Sequence, residues 1–239
     1  MRALKLAALL LCIFLDSYAL AKKPVQHAKA KHVTRHVAKH ANKRKTTRAV
    51  RPDNSVPARS IATSELVGFD HYPDDVKKLI ENALELSGQH LAYKFGSMDP
   101  GNNGMDCSGA ISYLLKQLEV NDVPRQADQI YKWAWKKGEF FAVNGHRLNS
   151  FEFSELKPGH LLFWSGTYPV QRDPAVTHVM MYLGKDKKNR PLMFGATTGR
   201  IYHGKPQNGV GVFDFKIPSA QSKARFLGYA CIPGISCDS

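Results

Sequence analysis

The order of residues predicts an α+β domain. Apolar residues recur at helical spacing through the first half of the chain, and short β-like apolar runs fill the second half. The two patterns are segregated rather than alternating. That points to N-terminal helices packed on one face of an antiparallel sheet, not to a parallel βαβ arrangement.

The first helix is predicted from Pro73 to about Ser87. Proline suits the first helical position, Asp74 and Asp75 complement the positive end of the helix dipole, and Val76, Leu79, Ile80 and Ala83 share one face. Gly88 is placed to end it. A loop rich in Gly and Asn, 95–104, leads into Cys107 and a second helix, whose Ala110, Ile111, Leu114, Leu115 and Leu118 form a buried stripe. A third helix is predicted over 126–137. About five strands follow: 161–164, 177–183, 192–196, 210–215 and 226–232, with the polar run 185–191 marking a hairpin.

What precedes this domain has a different character. Arg2 and Lys5 precede an apolar run over 6–15, and Ala19-Leu20-Ala21 has the small-x-small pattern of a signal-peptidase site, so residues 1–21 read as a secretory signal cut after Ala21. The apolar run is shorter than the roughly 20 residues that span a bilayer. Leu11 before Cys12 argues against a lipoprotein signal. Residues 22–52 hold eleven Lys and Arg, four His and neither an acid nor an aromatic residue, and read as a disordered basic tail, with a linker continuing to residue 64 and the folded domain over 65–235.

The chain carries a formal net charge of +14, but from Asp53 onward 21 basic residues face 19 acidic ones. The charge is therefore a property of the tail and says nothing of the domain's chemistry. In an exported chain such a tail suits anionic envelope polymers or lipid head groups. Nucleic acid is not expected, since the tail has no aromatic residue on which bases could stack. His32, His36 and His40 recur at four-residue spacing but read most simply as part of a solvated tail.

Loss of the signal removes Cys12 and leaves Cys107, Cys231 and Cys237. The last two bracket five residues and could close a small disulfide loop in an oxidising compartment; Cys107 is then the odd thiol. A cysteine that opens a helix lies beside unpaired backbone N–H groups, which favour thiolate and can hold an oxyanion. Ser108 and Gly109 leave room for a substrate. His178 lies on a predicted strand where His178, Met180 and Tyr182 face one side and Val179, Met181 and Leu183 the other. A Cys–His pair distant in sequence is the expected layout of a thiol hydrolase.

Tyr93-Lys94-Phe95-Gly96, Asp106-Cys107-Ser108-Gly109, Pro124-Arg125, Leu156-Lys157-Pro158-Gly159 and His178-Val179 with Tyr182-Leu183-Gly184 resemble, in order and spacing, the NlpC/P60 family. The resemblance implies a papain-like cysteine peptidase that cleaves peptidoglycan stem peptides, often after γ-linked D-glutamate. It implies Cys107 as nucleophile, His178 as base, and Tyr93 and Ser108 lining the site beside Asp106. Arg125, in a turn, is a candidate for a substrate carboxylate. No metal or cofactor is expected.

Two positions depart from the family pattern. The third polar residue that usually follows on the next strand aligns with Gly195, which leaves Thr197, His203, a water or a backbone carbonyl to orient the imidazole. His160 stands where the family usually has Asp. The expected function is an exported endopeptidase of the periplasm or cell wall. The alternatives are a related Cys–His amidase or acyltransferase, or a weakened module that binds peptidoglycan without cutting it. Trp133, Trp135 and Trp164 are read chiefly as core, with a groove-lining role as the other possibility.

Overall fold

The computed structural model describes residues 56–237. The residues read from sequence as a signal and a basic tail, and the first residues of the linker, lie outside the described residues. The order of elements is β1 (Val56–Pro57), α1 (Asp74–Gly88), β2 (Ala92–Tyr93), β3 (Gly104–Met105), α2 (Cys107–Gln117), α3 (Ala127–Lys137), β4 (Phe140–Ala142), β5 (Leu161–Ser165), β6 (Val176–Lys185), β7 (Pro191–Tyr202), β8 (Lys205–Asp214) and β9 (Arg225–Ala230). Helices come first and strands later, as the sequence pattern predicts.

The main sheet runs β1-β8-β7-β6-β5-β9-β4. Its six strands from β8 to β4 are antiparallel, one more than the five expected, and β1 adds a two-residue parallel edge on β8. The extra strand is β4. At three residues it is too short to show a period, and it follows α3 after only a two-residue break. Residues 56–64, read from composition as linker, are part of the folded body: Ala58 is buried, and the Ser60 hydroxyl donates to the carbonyl of Leu84 on α1 at 2.6 Å.

Alternation along β5 and β6 builds two cores. Leu161, Phe163, Val179, Met181 and Leu183 face α1, α2 and α3. Leu162, Trp164, Met180 and Tyr182 face the other way, into a second apolar cluster closed by Phe153, Phe213, Phe215, Phe226 and Tyr229. Both faces are therefore covered, which is why β6 is buried along nearly its whole length despite being antiparallel. Helix α1 buries the four residues expected of it, together with Leu84 and Leu86.

The sheet opens at one place. β6 and β7 are paired from Lys185/Pro191 to Met181/Phe194, and no pairing between them continues beyond that point among the described residues. β7 goes on with β8 alone through Gly195, Ala196 and Thr197. Helix α2 packs across both strands. Its N-terminus meets β6 at Val179, just past the last β6–β7 pair, where β6 is still paired with β5 but not with β7.

Phe163 anchors the helix-side core at this level, edge-on to Tyr131 at 5.3 Å and beside Phe140. Phe163→Ala should lower unfolding stability by about 3–5 kcal/mol through lost burial and the cavity left behind. Urea denaturation followed by fluorescence checks this, with an unchanged slope expected.

Candidate active site

Asp106 caps α2. Its Oδ1 accepts from the Gly109 N–H at 2.7 Å and from the Ser108 hydroxyl at 3.2 Å, and its Oδ2 accepts from the Gly96 N–H at 2.8 Å. Arg125 completes the set with a two-pronged grip: Nη1 donates to Oδ1 at 2.9 Å and Nη2 to Oδ2 at 2.7 Å, while Nη1 also reaches the Ser108 hydroxyl at 2.9 Å. The guanidinium proposed from sequence for a substrate carboxylate is thus engaged by a carboxylate of the protein. Gly109 is small for a reason: a Cβ there would collide with the Ser97 carbonyl and come within 3.0 Å of Met98 Cα.

Cys107 is the first residue of α2 and is buried. The backbone N–H groups of Val179 and Ser108 donate to its sulfur, and the Arg125 charge is nearby; all three favour thiolate. Burial outweighs them and pushes the thiol up to about 11, with the Asp106 charge adding to the rise. This corrects the expectation of a lowered thiol pKa. The helix start does supply N–H donors, but the sulfur has left water to receive them.

His178 is buried on the face opposite Val179, tilted against Trp164 with ring centres 5.8 Å apart. Its Nε2 is buried without a hydrogen-bond partner. Burial, and then the positive charge of Arg200, push its pKa well below the ordinary histidine value. Thiol and imidazole are therefore both neutral near pH 7. No hydrogen bond joins the two side chains, but the thiol meets β6 one residue from His178.

Two cavities flank this point and share Tyr93 and Tyr168. One, of about 340 Å³, is lined by Cys107, Asp106, Ser108, Arg125 and Arg172. The other, of about 580 Å³, holds His178, Thr197, Arg200 and Lys223. Tyr93 stands between them, its hydroxyl pushed up to about 12 by burial and by the neighbouring Cys107 and Asp106, so it remains a neutral donor.

The structure brings Tyr93, Asp106, Cys107, Ser108 and Arg125 together, and places Thr197 in the cavity of His178. His203 goes elsewhere. It sits at the β7–β8 turn, 3.5 Å from Asp186, and lines neither cavity. Of the three tryptophans, Trp133 and Trp164 are buried and Trp135 is exposed, stacked on Phe140 at 5.3 Å.

The sequence reading missed Arg200, whose guanidinium lies 4.6 Å from the centre of the Trp164 ring. A bulge between Thr197 and Arg200 breaks the alternation that would have placed it. It also missed Tyr168 and Arg172, which stand on a loop with no period to read.

The model of the NlpC/P60 family matches residues 90–209, half of the chain and the whole stretch that builds these cavities up to β8. The chain belongs to the NlpC/P60 family. It is 27% identical over 171 residues to the murein DD-endopeptidase MepH of Escherichia coli (strain K12), covering 70% of this chain and 54% of that one. It is 30% identical over 94 residues to the gamma-DL-glutamyl hydrolase of Bacillus subtilis (strain 168), covering 39% of this chain and 18% of that one. The chain thus spans about half or less of the length of these relatives.

Both departures from the NlpC/P60 pattern have a local physical setting. Gly195 faces Met180 on the adjacent strand, and a Cβ at Gly195 would lie 2.9 Å from Met180 Cε. The thioether occupies the space that a side chain at 195 would need. His160 stacks against Tyr229 at 5.4 Å, accepts from the Lys157 N–H through Nδ1, and directs Nε2 at Cys237 Sγ, 3.0 Å away. Cys231 and Cys237 form a disulfide with their Cα atoms 5.6 Å apart. His160 and the two sulfurs lie within 4.8 Å of one another, the one cluster of potential metal donors among the described residues. With the sulfurs bonded to each other they are not thiolate ligands.

Asp106→Ala should cost about 3 kcal/mol, combining a lost helix cap with an Arg125 left half-buried and unpaired. Arg125→Lys should cost less, because an ammonium keeps the charge beside Asp106 but cannot make the two-pronged contact. Urea unfolding of both variants checks this; a loss under about 1 kcal/mol for Asp106→Ala would show the clamp to be dispensable.

Iodoacetamide labelling of Cys107, followed by peptide mapping, tests the buried thiol. Because thiolate is the reacting form, the rate should keep rising from about pH 8.5 towards about 11. A plateau near the ordinary thiol range would contradict the dominance of burial.

Proposed function

We propose that this protein is an exported cysteine endopeptidase that hydrolyses peptide bonds in peptidoglycan stem peptides, of the D-glutamyl–diamino acid type. The observation that carries the reading is the position of Cys107. It is a free thiol at the first residue of a clamped helix, meeting β6 one residue along from His178 and lining a cavity. The names of the two relatives, a murein endopeptidase and a glutamyl hydrolase, support the same substrate class.

The chemistry follows from the two neutral groups. His178 takes the Cys107 proton as sulfur attacks the carbonyl, so the ion pair forms during the reaction rather than before it. Backbone N–H groups at the start of α2 receive the oxyanion. The imidazolium returns its proton to the departing amine, and water, deprotonated by His178, hydrolyses the thioester. Tyr93, Asp106, Ser108 and Arg125 form the wall against which the acyl side of the substrate lies. The tail over 22–52 would hold the enzyme near anionic polymers or lipid head groups of the periplasm or cell wall.

One observation favours a second reading. Gly195 supplies no side chain to orient the imidazole, and Met180 fills the space. A module that binds peptidoglycan without cutting it would tolerate this.

Incubation of the full chain and of Cys107→Ala with purified sacculi, followed by mass analysis, separates the readings. Release of stem-peptide fragments by the intact thiol alone is the expected result, and the masses name the bond. Sedimentation of both proteins with sacculi, with no fragment released by either, would replace the peptidase with a binding module.

A further inference from the structure

The cavity on the His178 side has a feature that hydrolysis of a peptide bond does not itself require. Its lining includes two cations, Arg200 and Lys223, and the hydroxyls of Thr167, Thr197, Thr198 and Ser222, and no acidic side chain. Arg200 is half-buried over the Trp164 indole and makes neither a hydrogen bond nor an ion pair among the described residues. The other arginines of the region are all engaged: Arg125 by Asp106, Arg172 by Asp128 and the Val176 carbonyl, Arg190 by Asp186.

A guanidinium partly withdrawn from water with no anion beside it is free to receive one. Burial pulls the Arg200 pKa down to about 10, so it keeps its charge at neutral pH. The backbone is shaped to place it there. The bulge after Thr197 sets two residues, Thr198 and Gly199, against Asn208 alone, with Gly199 at φ +71° and its N–H donating to the Asn208 side chain at 2.5 Å.

We propose that this cavity is a carboxylate-binding subsite in which Arg200, with Lys223 and the surrounding hydroxyls, holds a free carboxylate on the residue that supplies the leaving amine. The side of the substrate follows from the mechanism and rests on the hydrolase reading above. His178 must hand a proton to the departing nitrogen, so the amine-side residue lies on the His178 side of the sulfur. The cavity beyond Tyr93, with Asp106 and Ser108, is left to the acyl side. A diamino acid with an unblocked carboxylate fits; the same residue as a carboxamide presents no charge to Arg200.

The test uses two synthetic stem peptides that differ only in whether the diamino acid carries a carboxylate or a carboxamide. Binding is measured by calorimetry with the full-chain Cys107→Ala protein, and cleavage by mass analysis with the unaltered chain. The carboxylate peptide should bind about tenfold more tightly and be cleaved with a correspondingly higher kcat/KM. Arg200→Gln should bring both ratios close to one, and Lys223→Ala, an exposed position where misfolding is no concern, should reduce them by a smaller factor.

Equal binding of the two peptides, or an Arg200→Gln variant that loses the same factor on both, overturns the subsite. Carboxylate-dependent binding with no cleavage leaves the subsite standing and removes the hydrolase reading. Cleavage of both peptides at one rate does the reverse.

Discussion

The site depends on how one carboxylate is used. Asp106 accepts from two backbone N–H groups, a hydroxyl and both arms of Arg125, which leaves it no capacity to spare. Two of those donors stand before the helix and after its start, so the same group that caps α2 also folds the glycine-rich loop back onto it. Without that closure the loop would be free to move, and the first residue of the helix would have no defined position relative to the sheet. Because Arg125 neutralises it, the carboxylate can be buried beside the thiol at tolerable cost, although its remaining field still raises the Cys107 pKa.

The opened sheet does the rest of the positioning. An antiparallel sheet closed along its length would present only side chains to α2. Here β6 and β7 part beyond Met181, and a strand N–H is released to the sulfur. The result is a buried, protonated Cys107 thiol that meets β6 one residue along from a buried, neutral His178. Burial, not the helix dipole, sets the protonation state of both groups.

Much of this was legible in the sequence. The helical stripes of α1 and α2, the helix-then-strand order and the Asp-Cys-Ser-Gly start all came from local pattern, and the His178–Met180–Tyr182 face came from strict alternation. What stayed hidden was of two kinds. β1 and β4 are too short to carry a period. Arg200 lies beyond a bulge, where alternation fails, and the engagement of Arg125 by Asp106 links residues nineteen apart in the chain through a turn that no spacing rule reads. Thr197 and His203 looked equivalent as partners for the imidazole. The β7–β8 hairpin separates them, because one precedes the bulge and the other ends at the turn against Asp186.

The exchange of bulk between positions 180 and 195 alters the charge economy of the reaction. With Met180 against Gly195, no side chain at 195 stabilises an imidazolium at His178 and Arg200 opposes it, which leaves the Thr197 and Thr198 hydroxyls as the neutral polar groups of β7 in its cavity. In the proposed mechanism, proton transfer from Cys107 would create a cation near the Arg200 cation, an uphill step. A carboxylate held by Arg200, as proposed above, would offset that charge, while the burial that lowers His178 most would remain. On that proposal, the group that selects the substrate also eases protonation of His178. Part of the charge compensation at His178 would then come from the ligand rather than from the protein.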